Sequence, residues 1–228
     1  MNKVVCIIPA RSGSKEIKNK NIKKFKKKPL IFYTIDFAKK LSFVGKIILS
    51  TDSKKYLNIA NKFYNFGKKL RPKKFAKDKS KAIDYVNYEL KNLENLKNYK
   101  YLLLLQPTCP FRKKSDFEKA FKIIKSNKCD TIISSKLVKE HPLLMHTYNN
   151  RVKFLTKNYK KAFSGRQGFP KIYLRQGAMY LTKISTLKKF NSLQGGIVKH
   201  IIVRGKYAVN IDDKEDLISA NYYFKKKL

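Results

Sequence analysis

Short, unbroken apolar runs alternate with segments of helical periodicity along the first 135 residues. The runs 4-VVCII-8, 46-KIILST-51, 101-YLLLLQP-107 and 130-DTIISS-135 read as strands. They are almost continuously apolar, as strands covered on both faces are. Between them, apolar residues return every three to four positions. Residues 30–41 place Leu30, Ile31, Ile35, Phe37, Ala38 and Leu41 near one helical face, and residues 53–66 place Leu57, Ile59, Ala60, Phe63 and Phe66. Helices are also predicted over 81–96 and 115–127, the last with Ser115 as N-cap and Glu118 closing a capping box. This β-α-β-α alternation predicts an α/β fold with a mostly parallel sheet and helices on both faces.

The stretch 140–180 breaks the rhythm. It holds the β-prone segments 151-RVKFL-155 and 171-KIYLRQGAMYL-181 around a loop, 164-SGRQGFP-170. We read it as a β-rich excursion from the main sheet, an inserted arm over about 140–172 within a single domain spanning 1–228. A late strand over 201–211 and a closing helix over 213–227, with Asp213 as its N-cap, complete the expectation. No apolar run approaches the roughly 20 residues of a membrane span. The five-residue apolar run before Pro9 is too short for the core of a secretory signal. Cys6, Cys109 and Cys129 fall at no metal-type spacing, and nothing asks for disulfides. A reducing cytoplasm is the expected location.

Composition changes the picture in one respect. The 228 residues include 54 Lys or Arg against 15 Asp or Glu, a formal net charge of +39. Hydrophobic content of 43% and aromatic content of 13% exclude a disordered basic tail. A nucleic-acid binder is one reading of such charge. The basic residues, however, are 47 Lys and only 7 Arg, spread along the whole chain beside many Asn, Ile, Phe and Tyr. Those are the residues of AT-rich codons, and nucleic-acid readers favour the bidentate Arg fork. Composition drift is the preferred reading, with no specific nucleic acid as partner. It also makes the surviving Arg residues candidates for work that Lys cannot do.

Open α/β sheets bind ligands beyond the carboxyl ends of their strands. After the first strand comes 9-PARSGSKEIKNKN-21, where a Ser-Gly-Ser turn could offer N–H groups to an anion and Arg11, Lys15 and Lys20 add charge. It is neither a Walker A loop nor a G-x-G-x-x-G loop. After the third comes the stiff 106-QPTCPFR-112, with Gln106 and Thr108 as possible ligand contacts. After the last, four of the 15 acids fall in 209-VNIDDKEDL-217. Helix-dipole stabilisation accounts for Asp213, Glu215 and Asp216 and leaves Asp212 over. A basic loop facing an acidic one points to phosphate with Mg²⁺.

These blocks resemble the acylneuraminate cytidylyltransferases (CMP-sialic acid synthetases). The resemblance rests on 7-IIPARSGSKEIKNKNI-22, 49-LSTDS-53, 71-RPKKFAKD-78, 104-LLQPTCPFR-112, 141-HP-142, 166-RQ-167, 177-GAMYL-181 and 210-NIDDKEDL-217, in the family's order over nearly the whole chain. It implies a Rossmann-like three-layer fold and the transfer of CMP from CTP to a nonulosonic acid with release of pyrophosphate. It also implies Mg²⁺ and a homodimer formed through the arm. Carried over, Arg11, Ser14, Lys15, Lys20 and Asn21 would bind the CTP phosphates, with Arg71 and Ser80 at the cytosine end. Gln106, Thr108, Arg166 and Gln167 would meet the sugar acid, and Asp212, with Asn210, the metal. Arg11, Lys20 and Asp212 would carry catalysis.

Three positions depart from the family. Glu16 stands where it usually has Gly, Asn210 where many members have a first metal-binding Asp, and Gln176 where Asn is frequent before Gly177. The missing charge at Asn210 implies a weaker Mg²⁺ site. A synthetase for the eight-carbon acid Kdo and a basic protein without turnover are the alternatives.

Overall fold

The computed structural model describes residues 4–157, 160 and 165–225, with the Arg166 side chain outside that set. The first strand, β1 (Val4–Pro9), is central, and its residues 4–8 have no exposed surface. Alternation along it splits the core into two layers. Val4, Cys6 and Ile8 face α1 (Leu30–Lys39), α2 (Lys54–Asn61) and α4 (Lys114–Lys125). Val5 and Ile7 face α3 (Ala82–Lys91) and α5 (Ile184–Phe190). This is the three-layer arrangement the alternation predicts.

The remaining strands are β2 (Lys24–Phe25), β3 (Lys28–Pro29), β4 (Val44–Ser50), β5 (Tyr101–Leu104), β6 (Thr131–Leu137), β7 (His146–Tyr148), β8 (Val152–Phe154), β9 (Tyr173–Lys183) and β10 (Val198–Ile202). Six form one sheet in the order β10-β6-β9-β5-β1-β4. β1 pairs in parallel with β4 and β5, and β10 with β6, while β9 runs antiparallel between β5 and β6. The chain therefore leaves β1 to one side for β4 and to the other for β5, which makes the carboxyl end of β1 a switch point. The hairpins β2–β3 and β7–β8 stand outside this sheet. A third cluster, Ile17, Phe25, Leu30, Ile211 and Ala220, seats the closing helix α6 (Lys214–Lys225) beneath the loop that follows β1.

Several boundaries differ from the sequence reading. The helix expected from Ser115 begins at Lys114 after Lys113, which makes no side-chain cap, so Ser115 lies inside the first turn. Helix α2 stops at Asn61, whose side chain donates to Gly67 O and accepts from Phe66 N, each at 2.9 Å, and so folds the chain back. Helix α3 ends at Lys91, and Asn95 turns the chain at φ 55°. The late strand starts earlier and stops at Ile202, because Gly205 at φ 54° opens a 3-10 turn over Gly205–Ala208. The segment 171–181, read as part of the excursion, lies mostly within β9 of the main sheet. Asp213 caps α6 as expected: its Oδ1 accepts from Asp216 N at 2.8 Å, and Asp216 Oδ2 accepts from Asp213 N at 3.3 Å. No helix among the described residues is long and apolar enough to cross a membrane.

Candidate active site

The loops following β1 and β5, the segment between α2 and α3 with the start of α3, and the turn before α6 line a cleft of about 430 Å³. Arg11, Ser14, Lys15, Lys20, Asn21, Arg71, Ser80, Gln106, Thr108 and Asp212 all line it. Thus the phosphate, base and metal residues expected from sequence, Asn210 excepted, converge on one place.

The loop after β1 is held by groups that the sequence reading passed over. Asp52, at the end of β4, accepts from Ser12 N at 2.9 Å and from Ser12 Oγ at 2.7 Å. Tyr56 of α2 donates its hydroxyl to Asn19 Oδ1 at 3.2 Å and lies 3.4 Å from Ser12 O. Asn21 donates Nδ2 to Arg11 O at 3.1 Å, so its amide stitches the two ends of the loop together. The Ser-Gly-Ser turn is not an open row of donors, since Ser12 N bonds Asp52 and Ser14 N bonds Ser12 O. Its Asp52 anchor was legible only as one of few acids placed at a strand end.

The cations of the cleft face acids. Asp78 lies 2.5 Å from Arg11 and 2.6 Å from Lys15, and hydrogen bonds from Lys15 and Arg11 hold its carboxyl down at about 2. Lys20 lies 2.8 Å from Asp212. Glu16 also lines the cleft, with an exposed side chain.

Arg71 is buried, with its guanidinium 4.8 Å from the Tyr85 ring centroid and its backbone N donating to Thr51 O at 2.7 Å. Burial lowers its pKa, opposed by Tyr85, Asp52 and Glu89. Its Nε is buried with no hydrogen-bond partner among the described residues. Such a donor beside a cleft is an opening for a ligand acceptor. Ser80 donates its hydroxyl to Lys74 O at 3.0 Å.

Behind Gln106 a second recess of about 360 Å³ is lined by Gln106, Arg175, Tyr180 and Ser192 among others. Gly177 lies against Gln106 for a steric reason: a Cβ there would overlap the Gln106 side-chain amide. The register of β6 against β9 shifts between Ile133 and Ser134, a bulge at that point. Ser134 holds it by donating to Gln176 O at 2.5 Å and accepting from Met179 N at 3.0 Å. Gln176 is buried and fully engaged within the protein, bonded to Cys109, Val209 O and Ala178 N. Gln167 is exposed in a 3-10 turn, Arg166–Gly168, and lines neither recess. Arg166, expected to pair with the acid, has its side chain outside the described set.

Arg112 fixes the loop after β5. Desolvation lowers its pKa to about 10, and among the described residues no carboxylate pairs with it. Instead it donates to Gln106 O at 2.6 Å, Thr34 Oγ1 at 3.0 Å and Ala178 O at 3.2 Å. One guanidinium thereby ties the loop to α1 and to β9, a three-way geometry that Lys cannot make.

Asn210 is not among the residues lining the cleft. Its Oδ1 accepts from Cys109 Sγ at 3.3 Å, and its Nδ2 donates to Asp212 Oδ2. Among the described residues no group of three His, Cys, Asp or Glu could hold a metal alone. A metal at Asp212 would need phosphate oxygens as well, which fits the way Mg²⁺ is held beside nucleotides.

Taken with its cleft at the switch point, the fold is that of the Rossmann-like nucleotidyltransferases. A solved CMP:2-keto-3-deoxy-manno-octonic acid synthetase in complex with CTP superposes with a TM-score of 0.69 at 15% identity, covering 99% of this chain and 100% of that one. More particularly, the chain belongs to the cytidylyltransferase family, whose sequence model matches residues 5–201. The N-acylneuraminate cytidylyltransferase of Escherichia coli O18:K1:H7 is 39% identical over 121 residues, 53% of this chain and 28% of that protein. The pseudaminic acid cytidylyltransferase of Campylobacter jejuni (serotype O:23/36) is 31% identical over 183 residues, 78% of this chain and 77% of that protein. Against the N-acylneuraminate relatives the chain spans about half their length or less, 52% for one from Streptococcus agalactiae.

Proposed function

We propose that this protein transfers CMP from CTP to a sialic-acid-like nonulosonic acid, releasing pyrophosphate. The observation that carries the reading is the gathering of Arg11, Lys15, Lys20, Arg71 and Asp212 around one cleft at the switch point of a cytidylyltransferase chain. The cations would take the triphosphate, exchanging Asp78 and Asp212 for phosphate oxygens. The unpartnered Arg71 donor would meet the base, with Ser80 nearby. The recess behind Gln106 would take the sugar acid, with Thr108, Arg166 and Gln167 assigned to it by the family resemblance. The acid's anomeric hydroxyl attacks the α-phosphorus, one P–O bond forms, and the bond to pyrophosphate breaks. Catalysis of such a step is chiefly positioning and charge neutralisation, so Arg11 and Lys20 would carry it. Mg²⁺, held by Asp212 and the phosphates, would supply further neutralisation.

Similarity to the N-acylneuraminate and pseudaminic acid enzymes favours a nine-carbon acid over the eight-carbon acid Kdo, for which the structural likeness speaks at the level of fold alone. We further place the reaction in the cytoplasm, where CTP is made, and the active form as a homodimer through the inserted arm, about 140–172.

Pyrophosphate release on mixing the protein with CTP, Mg²⁺ and a panel of nonulosonic acids tests the proposal. Arg11→Ala should lower kcat/KM by about 100-fold or more with the melting temperature retained. No release with any acid, or full activity in that variant, would sink it.

A further inference from the structure

The loops that bring Thr108 and Asp212 to the cleft are joined behind it by a line of side chains. Gln176 of β9 starts the line. Its Oε1 accepts from Ala178 N at 2.8 Å, which fixes the amide so that Nε2 donates to Cys109 Sγ at 3.1 Å and Val209 O at 3.2 Å. Cys109 has no exposed surface, and its thiol donates to Asn210 Oδ1 at 3.3 Å. Asn210 in turn gives Nδ2 to Asp212 Oδ2, and the other oxygen of Asp212 takes Lys20 at 2.8 Å. A backbone bond, Ile211 N to Thr108 O at 2.8 Å, runs alongside.

Each link dictates the next. A carboxylate oxygen requires a donor opposite it, because a carbonyl oxygen there would repel it. The nitrogen of Asn210 must therefore face Asp212, and its oxygen must face Cys109. Burial pushes the Cys109 thiol up to about 11, so at neutral pH it keeps the proton it donates. The same burial makes it a poor nucleophile.

We propose that Cys109 is a positioning residue which, through Asn210, aims the Asp212 carboxylate into the cleft, and that Asn210 acts as a hydrogen-bond donor to Asp212 and not as a metal ligand. The inference rests on the proposed function, since it takes Asp212 to meet the metal-bound nucleotide. It also recasts the departure at position 210. A second carboxylate is exchanged for an amide that orients the first, in the way that partners behind metal ligands do.

The test is binding of Mn²⁺, as a probe for Mg²⁺, to the full chain with CTP, followed by electron paramagnetic resonance. Cys109→Ala removes the donor and should weaken Mn²⁺ binding by about tenfold or more, lowering kcat with the KM for the sugar acid unchanged. Cys109→Ser keeps an O–H donor and should restore both. Asn210→Ala, at a half-buried position, should reproduce the loss without touching the thiol. Unchanged Mn²⁺ affinity in Cys109→Ala or Asn210→Ala overturns the inference alone. So does a Cys109→Ser protein as impaired as Cys109→Ala, which would mark a packing role. If the unaltered protein binds no Mn²⁺ with CTP, the proposed function falls and takes the inference with it.

Discussion

Asp78 spans Arg11 and Lys15, the two cations of the first loop that we propose take phosphate. All three side chains are well exposed, so the contact adds little to stability, but a nucleotide must displace it. Asp78→Asn should therefore lower the KM for CTP a few-fold at low ionic strength, measured as initial rates of pyrophosphate release. A raised KM would show that Asp78 contributes to the bound state instead. The pH sign follows from the depressed carboxyl. The pairing is complete above the ordinary aspartate value and is lost as pH falls through about 2. Asp78 thus stays charged throughout the neutral range, and its competition with phosphate does not titrate there. At this scale the sequence was informative about which residues matter and less so about what each does. Rarity of Arg marked Arg71 and Arg112, yet Arg112 turned out to tie three backbone segments together. Asn21 lines the cleft, but its amide donates to Arg11 O within the first loop. Asp52 and Gln176 act through partners more than 30 positions away, a distance over which no local pattern carries information.

Among elements, strands and helices were legible because covered strands and amphipathic helices carry strong periodic signals. Their ends were less so, since they depend on side chains reaching back, as Asn61 does to Phe66 and Gly67. The hairpin β7–β8 and its flanks matter most at this scale. Leu137, Tyr148, Val152, Phe154, Leu155 and Leu174 are exposed there, Tyr148 at 74%. Apolar surface gathered on this hairpin and the adjoining ends of β6 and β9 is what a partner subunit would cover. Sedimentation equilibrium at micromolar concentration should give a dimer, and Val152→Asp with Leu155→Asp should shift it to monomer without loss of melting temperature. A monomer for the unaltered chain would remove the dimer reading.

For the whole molecule, the charge of +39 now divides into a small set of cations with assigned partners and a large diffuse remainder. The remainder creates a positive field that would draw in the anionic CTP and sugar acid of the proposed reaction. If that field matters, kcat/KM should fall as salt is raised from about 0.01 M to about 0.15 M, the range over which the screening length contracts to roughly 8 Å. A flat profile would leave the excess Lys as composition alone. The overall topology adds a constraint on how the chain is built. Strand β9 is the one antiparallel member of the sheet, and it lies between β5 and β6. While synthesis has reached only residue 172, both of those strands present open edges, and the two portions of the sheet share no ladder. The sheet becomes continuous only when residues 173–183 slide between them, and the same insertion delivers Gly177, Gln176 and the recess beside Gln106. Closure of the gap between those two edges and assembly of the recess beside Gln106 are therefore one event in the life of the nascent chain.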